Sequence, residues 1–366
     1  MYIKEATLKN FRNYEDAYIE FSPKINLVLG NNAQGKTNLI EALYITSLGK
    51  SFRTSTDSEM IRFKEKNFRV MVEAVKKFED VKVEIAVSKE SKAVKLNGKR
   101  IKKTSELLEK IYMVVFSPED LKIVKDEPEK RRKFIDRELC QLKPVYFSNL
   151  SKYKKVLLQR NTMLKEERPN ISLLEIWDRE LSKYGAQVIK KREEFIKKIN
   201  IISASIHHGI TGGKEKLSLS YESNVPVMKE MDEQEDIFME KLKKRCEADI
   251  LHRTTSVGPH RDDLKISING IDIRKYGSQG QQRTAALSLK LAEIKLIKEE
   301  TDEDCILLLD DVLSELDEQR QSFLINSLSD IQMFITSAEI SQRVLDNLDI
   351  GKRFYIENGH IEEKEL

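Results

Sequence analysis

The sequence predicts an α/β fold with mixed sheets, in which two strand-rich segments are separated by a helical arm. Short strands alternate over the first 30 residues and recur over 68–103, and strands resume after His207. From about Glu129 to Ile206 the apolar residues instead recur at helical spacing. The predicted parts are an N-terminal head segment 1–115, a helical arm 116–206 and a C-terminal head segment 207–366.

The elements of the head are predicted from local patterns. The runs YIKEATLKNF, YEDAYIEF and KINLVLG are expected as strands, and an amphipathic helix is expected from Lys36 to about Leu48. Asn97-Gly98 and Asn269-Gly270 tolerate positive φ, so each predicts a two-residue hairpin turn. A helix is expected from Gln281 to about Glu300, followed by the buried strands CILLLD and IQMFITS.

The composition limits the class of protein. A chain of 366 residues with 40% hydrophobic residues is long enough for two domains. It has no run of about 18 apolar residues and does not begin like a signal peptide, so we predict a cytoplasmic protein with no membrane partner. The three cysteines lie far apart and match no metal-ligand spacing. The net charge of +3 by itself predicts no acidic partner.

The strongest functional signal is a glycine-rich loop between a buried strand and an amphipathic helix. It matches G-x-x-x-x-G-K-[ST], a pattern that surrounds phosphates with main-chain N–H groups at a helix N-terminus. We expect Lys36 to neutralise the β and γ phosphates of ATP and Thr37 to coordinate Mg²⁺. The loop consists of Gly30, Asn31, Asn32, Ala33, Gln34, Gly35, Lys36 and Thr37.

A second element is the apolar run Ile306–Leu309, which ends in two carboxylates. A strand buried on both faces would place Asp310 beside the phosphate loop, on the adjacent strand. We expect Asp310 to hold Mg²⁺ through water and Asp311 to orient or deprotonate the attacking water. Taken alone, the run is equally compatible with an ordinary strand end.

A third element is SQGQQR at 278–283, about 30 residues before the acidic strand. It resembles the S-x-G-Q signature of ABC ATPases, in which the signature of one subunit covers the γ-phosphate bound by the other. Ser278, Gly280 and Gln281 are therefore candidate ATP contacts across a dimer. Taken alone, these residues could also be a polar helix cap. The segment 314–317, SELD, matches the loop at which subunits of such dimers meet.

Five segments together resemble the RecF family of bacterial recombination proteins, which are SMC-type ABC ATPases without a long coiled coil. They are LKNFRNY near the start, FSPEDL at 116–121, GPHRDD at 258–263, SQGQQR at 278–283 and LLLDDVLSELD at 307–317. The resemblance implies an ABC-type P-loop ATPase head that dimerises with a second copy of itself when ATP binds. It also implies a role in DNA repair, in which RecO and RecR are helped to load RecA.

Some positions depart from the general ABC pattern. Asp311 stands where most members carry Glu, and Thr336-Ser337 replace a usual His, so we expect slow hydrolysis that acts as a switch. FSPEDL lies where a glutamine loop is expected, and no ligand is assigned to it. The GPHRDD segment, with His260, Arg261, Asp262 and Asp263, is either a tight charged turn or a loop near the nucleotide or subunit contact.

Two lysine-rich regions are candidate surfaces for DNA. Such residues can neutralise backbone phosphates without reading sequence, and a solvated face is an equally good interpretation. Without interleaved aromatic residues, we expect duplex, gapped or junction DNA in preference to single strands. The hairpin region contributes Lys95, Lys99, Arg100, Lys102 and Lys103. The arm contributes Lys130, Arg131, Arg132, Lys133, Lys152, Lys154 and Lys155.

Several functions remain open from these patterns. The first is an ATP-gated DNA clamp with weak, DNA-stimulated ATPase activity. The alternative is the ATPase subunit of a transporter, which the short arm and the missing histidine disfavour. A chromosome organiser would need hundreds of coiled-coil residues. A small-molecule kinase would leave the signature at Ser278 unexplained.

Overall fold

The computed structural model describes residues 1–328, 330–338, 345 and 348–365. The strands are β1 (Tyr2–Phe11), β2 (Tyr14–Glu20), β3 (Ile25–Leu29), β4 (Asn67–Val75), β5 (Val81–Ser88), β6 (Lys92–Leu96), β7 (Lys99–Arg100), β8 (Met113–Phe116), β9 (Leu217–Glu222), β10 (Asp263–Ile268), β11 (Ile271–Asp272), β12 (Ile306–Asp310), β13 (Met333–Ser337), β14 (Ile350–Glu357) and β15 (His360–Lys364). The helices are α1 (Lys36–Leu48), α2 (Pro128–Leu142), α3 (Pro144–Met163), α4 (Ile171–Thr211), α5 (Met231–His252), α6 (Ile273–Tyr276), α7 (Gln279–Thr301) and α8 (Glu318–Asn326).

The chain forms two compact units. The first comprises Met1–Lys122 and Ala286–Leu366, and the second comprises Ile123–Ala285. The insertion is therefore longer than the predicted arm 116–206, and 207–285 do not belong to the head segment predicted as 207–366. The physical reason is a shared core, because Phe238 of α5 packs with Leu181 and Ile189 of α4.

A mixed six-stranded sheet organises the first unit. Its strand order is β15-β14-β3-β13-β12-β8, and every pairing is parallel except the β14–β15 hairpin. The carboxyl ends of β3, β13, β12 and β8 therefore lie along one edge. The acidic strand β12 is not adjacent to β3 as predicted, because β13 lies between them. The residues of β13 thereby become part of the candidate site.

A second sheet in the same unit has the order β2-β1-β4-β5-β6-β7, with antiparallel pairings. It shares one apolar core with α1 and the mixed sheet, through residues such as Val72, Leu39 and Leu308. The predicted turn at Asn97-Gly98 is confirmed, with φ of 48° and 79°. This sheet lies against the helix that begins at the glycine-rich loop.

The second unit combines the helices α2 to α5 with the antiparallel sheet β11-β10-β9. Helix α4, 41 residues long, continues beyond the predicted end at Ile206 to Thr211. The turn at Asn269-Gly270 is confirmed, but its return strand has only two residues. Asp272 then caps α6 by accepting from the Arg274 N–H at 2.9 Å. None of the helices in the described part of the chain is both long and apolar enough to cross a membrane.

Candidate functional site

The glycine-rich loop follows β3 and adopts backbone angles that require glycine. Gly30 has φ of 149° and Gly35 has φ of 122°, which L side chains rarely adopt. A Cβ on Gly30 would lie 2.3 Å from the Ile356 carbonyl oxygen. The two glycines thus let the main chain turn tightly between β3 and α1, as the motif predicts.

The loop ends at the N-terminus of α1, which points its N–H groups out of the helix. Gly35 is the N-cap residue, and no side chain in the described part of the chain caps the helix there. Uncapped N–H groups and the helix dipole favour an anion at this position. The local geometry therefore fits a phosphate group.

The Lys36 side chain is buried against the main chain of the loop. Its Nζ donates to the Gly30 carbonyl oxygen at 2.6 Å and to the Asn31 carbonyl oxygen at 3.0 Å. Burial lowers the pKa of Lys36, while the negative charges of Asp311 and Asp310 oppose that shift. The ammonium group is thus held inside the loop, in a position from which it can neutralise bound phosphate.

Thr37 and Asp310 meet at the carboxyl edge of the sheet. The Thr37 hydroxyl donates to Asp310 Oδ1 at 2.9 Å, across 273 residues of sequence. Burial raises the pKa of Asp310, and its hydrogen bonds oppose this effect. A hydroxyl and one carboxylate are the hard oxygen ligands that Mg²⁺ uses beside nucleotide phosphates. The described residues contain no group of three or more His, Cys, Asp or Glu that could hold a metal by itself.

Thr336 of β13 joins the two carboxylate residues. Its hydroxyl donates to Asp310 Oδ1 at 3.0 Å and accepts from the Asp311 N–H at 2.9 Å. Asp311 has φ of 55°, so it leaves the strand in the left-handed region. Thr336, which the sequence marked only as a missing histidine, fixes the conformation of the acidic pair.

The turn between β1 and β2 supports the loop from the other side. Asn13 Nδ2 donates to the Gln34 carbonyl oxygen at 2.7 Å, and the Tyr14 hydroxyl donates to the Gly35 carbonyl oxygen at 2.9 Å. Asn38 Nδ2 donates in turn to Asn13 Oδ1 at 2.8 Å. Asn13 and Tyr14 belong to the LKNFRNY segment, but these contacts were not predicted, because the partners lie 21 to 25 residues away in sequence.

A buried carboxylate on α1 anchors two arginines near the site. Glu41 is fully buried, and Arg12 contacts both of its oxygens at 2.8 Å. Arg53 donates to Glu41 at 3.2 Å and to Asn38 at 2.9 Å. The charge of Arg53 also opposes the rise in the pKa of Asp310 that burial causes. Arg53 was not predicted, because its partners on α1 become visible only in the fold.

The SQGQQR segment lies at the start of α7, which begins at Gln279, two residues earlier than predicted. Gly280 therefore lies in the first helical turn, and only Ser278 precedes the helix. Ser278 Oγ accepts from the Gln281 N–H at 3.2 Å, and Gln281 Oε1 accepts from the Ser278 N–H at 3.0 Å. These reciprocal bonds form a capping box.

FSPEDL begins with Phe116, the last residue of β8, at the same sheet edge as the acidic pair. Asp120 accepts from the Ser117 N–H and hydroxyl, both at 2.9 Å. Lys290 of α7 lies 3.3 Å from Asp120 and 3.1 Å from Glu293. The segment thus connects the sheet edge to α7 within the first unit.

The GPHRDD segment lies in the second unit. His260 Nδ1 lies 2.6 Å from the Tyr153 hydroxyl, and burial lowers the pKa of His260 to about 4. Arg192 contacts Asp262 at 3.2 Å and also donates to the Pro259 carbonyl oxygen. These buried contacts favour a tight, hydrogen-bonded turn. The segment holds His260, Arg261, Asp262 and Asp263.

Among the five basic residues of the hairpin region, one forms an ion pair with a neighbouring strand. Lys95 lies 3.1 Å from Glu84 on the neighbouring strand. The other four side chains are exposed at and after the turn. They are Lys99, Arg100, Lys102 and Lys103.

The basic residues of the arm are paired only in part, and Lys130, Lys152 and Lys155 are exposed. Arg131 is buried and lies 2.6 Å from Asp263, and Arg132 donates to the Asp262 carbonyl oxygen. Lys133 pairs with Glu129 at 2.7 Å. Exposed basic side chains are thus present on both candidate surfaces, and the DNA-binding role of each stays a prediction.

Comparison with known proteins places this geometry in a family. Residues 2–361 match the RecF/RecN/SMC N-terminal domain family. The chain belongs to this family. It is 48% identical to the DNA replication and repair protein RecF of Agathobacter rectalis, over 99% of each chain. The resemblance found from the motifs is thereby confirmed.

Solved structures of the family confirm the fold class. The recombination mediator protein RecF-ATPrS in the RecFOR pathway has 39% identity and a TM-score of 0.93, covering 100% of this chain and 98% of the other. The SMC head domain from Pyrococcus furiosus, at 18% identity, has a TM-score of 0.55, covering 100% and 96%. The latter likeness concerns the fold alone. Both support the predicted ABC-type ATPase head with mixed α/β sheets.

Proposed function

We propose that this chain is an ATP-dependent DNA-binding protein of recombinational repair. ATP and Mg²⁺ bind between the glycine-rich loop and the acidic pair, and a second copy of the chain completes the site with its SQGQQR segment. The closed homodimer holds duplex or gapped DNA and helps RecO and RecR to load RecA. Slow hydrolysis, weakly stimulated by DNA, then releases the DNA, so that ATP acts as a switch.

The observation that carries this proposal is the convergence of three elements at one sheet edge. The uncapped N-terminus of α1, the ammonium group of Lys36 and the Thr37–Asp310 pair meet there, with Asp310 brought in across 273 residues of sequence. Donors, a cation and metal ligands in this arrangement suit a nucleoside triphosphate. The RecF relatives and the RecF-ATPrS structure supply the context of DNA repair.

Each residue of the candidate site would have a separate role in ATP hydrolysis. Lys36 would neutralise charge on the β and γ phosphates, and Thr37 and Asp310 would hold Mg²⁺, which supplies further positive charge to the phosphates. Asp311 would orient the attacking water, from a backbone position fixed by Thr336. An aspartate reaches less far than the glutamate of most ABC ATPases, which agrees with slow turnover.

Asp311→Asn is expected to trap the ATP-bound dimer. Asn has nearly the same volume and also tolerates the positive φ of Asp311, but it cannot accept a proton from water. Hydrolysis should fall by about a hundredfold, the lower range for loss of a general base. Sedimentation with ATP, with and without gapped duplex DNA, should show a dimer that retains DNA.

Asp302→Asn provides the matched control. Asp302 also has positive φ, at 57°, but it is exposed and pairs with Lys77 away from the acidic pair. This variant should hydrolyse ATP and release DNA like the unmodified protein. A monomeric Asp311→Asn protein with ATP bound, or a dimer that does not retain DNA, would contradict the clamp.

Ser278→Arg is expected to block dimerisation while ATP still binds. The exposed Ser278 would meet the nucleotide of the other copy, so a bulky cation should prevent closure. ATP affinity of the monomer, measured by equilibrium titration at low protein concentration, should change less than about twofold. A large loss of affinity in the monomer would instead place Ser278 in its own copy's site.

The substitution also removes a helix cap, which needs its own control. Asn170 caps α4 by accepting from the Leu173 N–H at 3.1 Å, and it is exposed. Asn170→Arg should cost about 1 kcal/mol of helix stability, like Ser278→Arg, yet leave dimerisation unchanged. If both variants fail to dimerise, loss of a cap is the cause.

A further inference from the structure

The start of α7 depends on one amide orientation. The capping box needs Gln281 Oε1 to face the Ser278 N–H, at 3.0 Å. The amide group of Gln281 could also present its NH₂ in that direction, and two donors would then face each other. Something must fix the orientation of this amide.

Glu215 fixes it. Gln281 Nε2 donates to Glu215 Oε1 at 2.9 Å, across 66 residues of sequence. An ionised carboxylate only accepts hydrogen bonds, so it requires the NH₂ group of Gln281 on its side. The oxygen of Gln281 is thereby directed to Ser278, and the capping box is set from outside the helix.

Glu215 is itself anchored to the long arm helix. Its Oε2 lies 3.1 Å from His207 Nε2, and the His207 side chain is fully buried in the last part of α4. Since the carboxylate accepts, this nitrogen of His207 carries the proton. A separate hydrogen bond attaches the start of α7 to α6, because the Gln282 amide donates to the Ile273 carbonyl oxygen at 2.9 Å.

We infer that Glu215 is a positioning residue for the SQGQQR segment, which it holds in the conformation that meets the nucleotide of a second copy. The role of the second copy rests on the proposed function, whereas the positioning does not. Glu215 acts through Gln281, the residue of the segment that it contacts. The end of α4 thereby controls the conformation of the signature.

Hydrogen exchange of the full-length protein without nucleotide tests the positioning directly. In Glu215→Lys the new ammonium group donates, so the Gln281 oxygen should turn towards it and leave the Ser278 N–H. Exchange of that N–H should become about fivefold faster, the scale of one hydrogen bond. Glu215→Gln, which keeps the shape, should change it in the same direction and less. Glu222→Lys, an exposed glutamate on β9, is the control.

Dimerisation with ATP tests the consequence. The protein concentration needed for half-dimerisation should rise about fivefold in Glu215→Lys, while ATP affinity of the monomer stays unchanged. Unchanged exchange in both Glu215 variants would overturn the inference. Faster exchange with unaltered dimerisation would remove its functional part. If exchange rises but the unmodified protein never dimerises with ATP, the proposed function fails and the positioning stands.

Discussion

Lys36→Met should abolish ATP hydrolysis and ATP-driven dimerisation together. Methionine fills a similar volume but carries no charge, so the phosphates lose their main cation. Hydrolysis should fall on the order of a thousandfold, the scale observed when a cationic side chain that stabilises a transferred phosphoryl group is removed. Phosphate release and sedimentation with ATP measure the two effects. A Lys36→Met protein that still dimerises with ATP would contradict a shared nucleotide site.

The stability of the same variant separates function from folding. Lys36→Met removes two hydrogen bonds, to the Gly30 and Asn31 carbonyl oxygens, and also removes a charge whose burial is unfavourable. These effects oppose each other, so the melting temperature without ATP should change little. Lys190 is a matched control, because its Nζ also donates to two carbonyl oxygens, those of Met228 and Lys229. Lys190→Met should keep full activity. A loss of activity there would indicate a general effect of removing such contacts.

Local sequence patterns were sufficient for the elements that carry the candidate phosphate site. The motif 30–37 specified a loop between a strand and a helix, because glycine, the buried strand and the amphipathic helix are all local signals. The turn at Asn97-Gly98 is equally local, since it depends on two residues that accept positive φ. The strand Ile306–Asp310 was predictable because it is apolar on both faces.

The extent of the second unit, Ile123–Ala285, could not be predicted from local sequence patterns. Helix α5 was missed because half of its 22 residues are charged and they interrupt the apolar pattern. Its buried side chains include Phe238 and Leu242, which are too few for a clear helical period. Their partners on α4 lie far away in sequence, so the shared core that extends the unit appears only in three dimensions.

Partners that are distant in sequence also determine which polar and charged side chains are already hydrogen-bonded or ion-paired. The sequence showed Thr336 as a departure from the ABC pattern, but its bonds to the acidic pair require β13 to lie between β3 and β12. Likewise, Lys95 looked free in a basic run, and Glu84 from another strand pairs with it. Spacing along the chain contains no information on such pairs.

Arg160→Met should cause a large loss of stability in the second unit. Arg160 is fully buried on α3, 2.6 Å from Asp178 on α4 and 2.7 Å from Asp249 at the end of α5. Burial would lower the pKa of Arg160, but the two carboxylates outweigh it and raise that pKa, so the charge persists. Removing it leaves two buried carboxylates without their cation, which should cost about 3–5 kcal/mol. Urea unfolding followed by circular dichroism measures the loss.

The pH dependence of that loss identifies its cause. Burial already raises the pKa of Asp178, and without Arg160 the pKa should rise further. For a carboxyl with a raised folded-state pKa, the penalty is full above that pKa, decreases as the pH falls through it and is absent below the unfolded pKa of about 4. The deficit should therefore shrink as the pH falls from neutral towards about 4. Arg168→Met, an exposed arginine of the same unit, should change stability by less than about 0.5 kcal/mol at either pH. A deficit in Arg160→Met that is independent of pH would mean that lost packing, and not uncompensated charge, dominates.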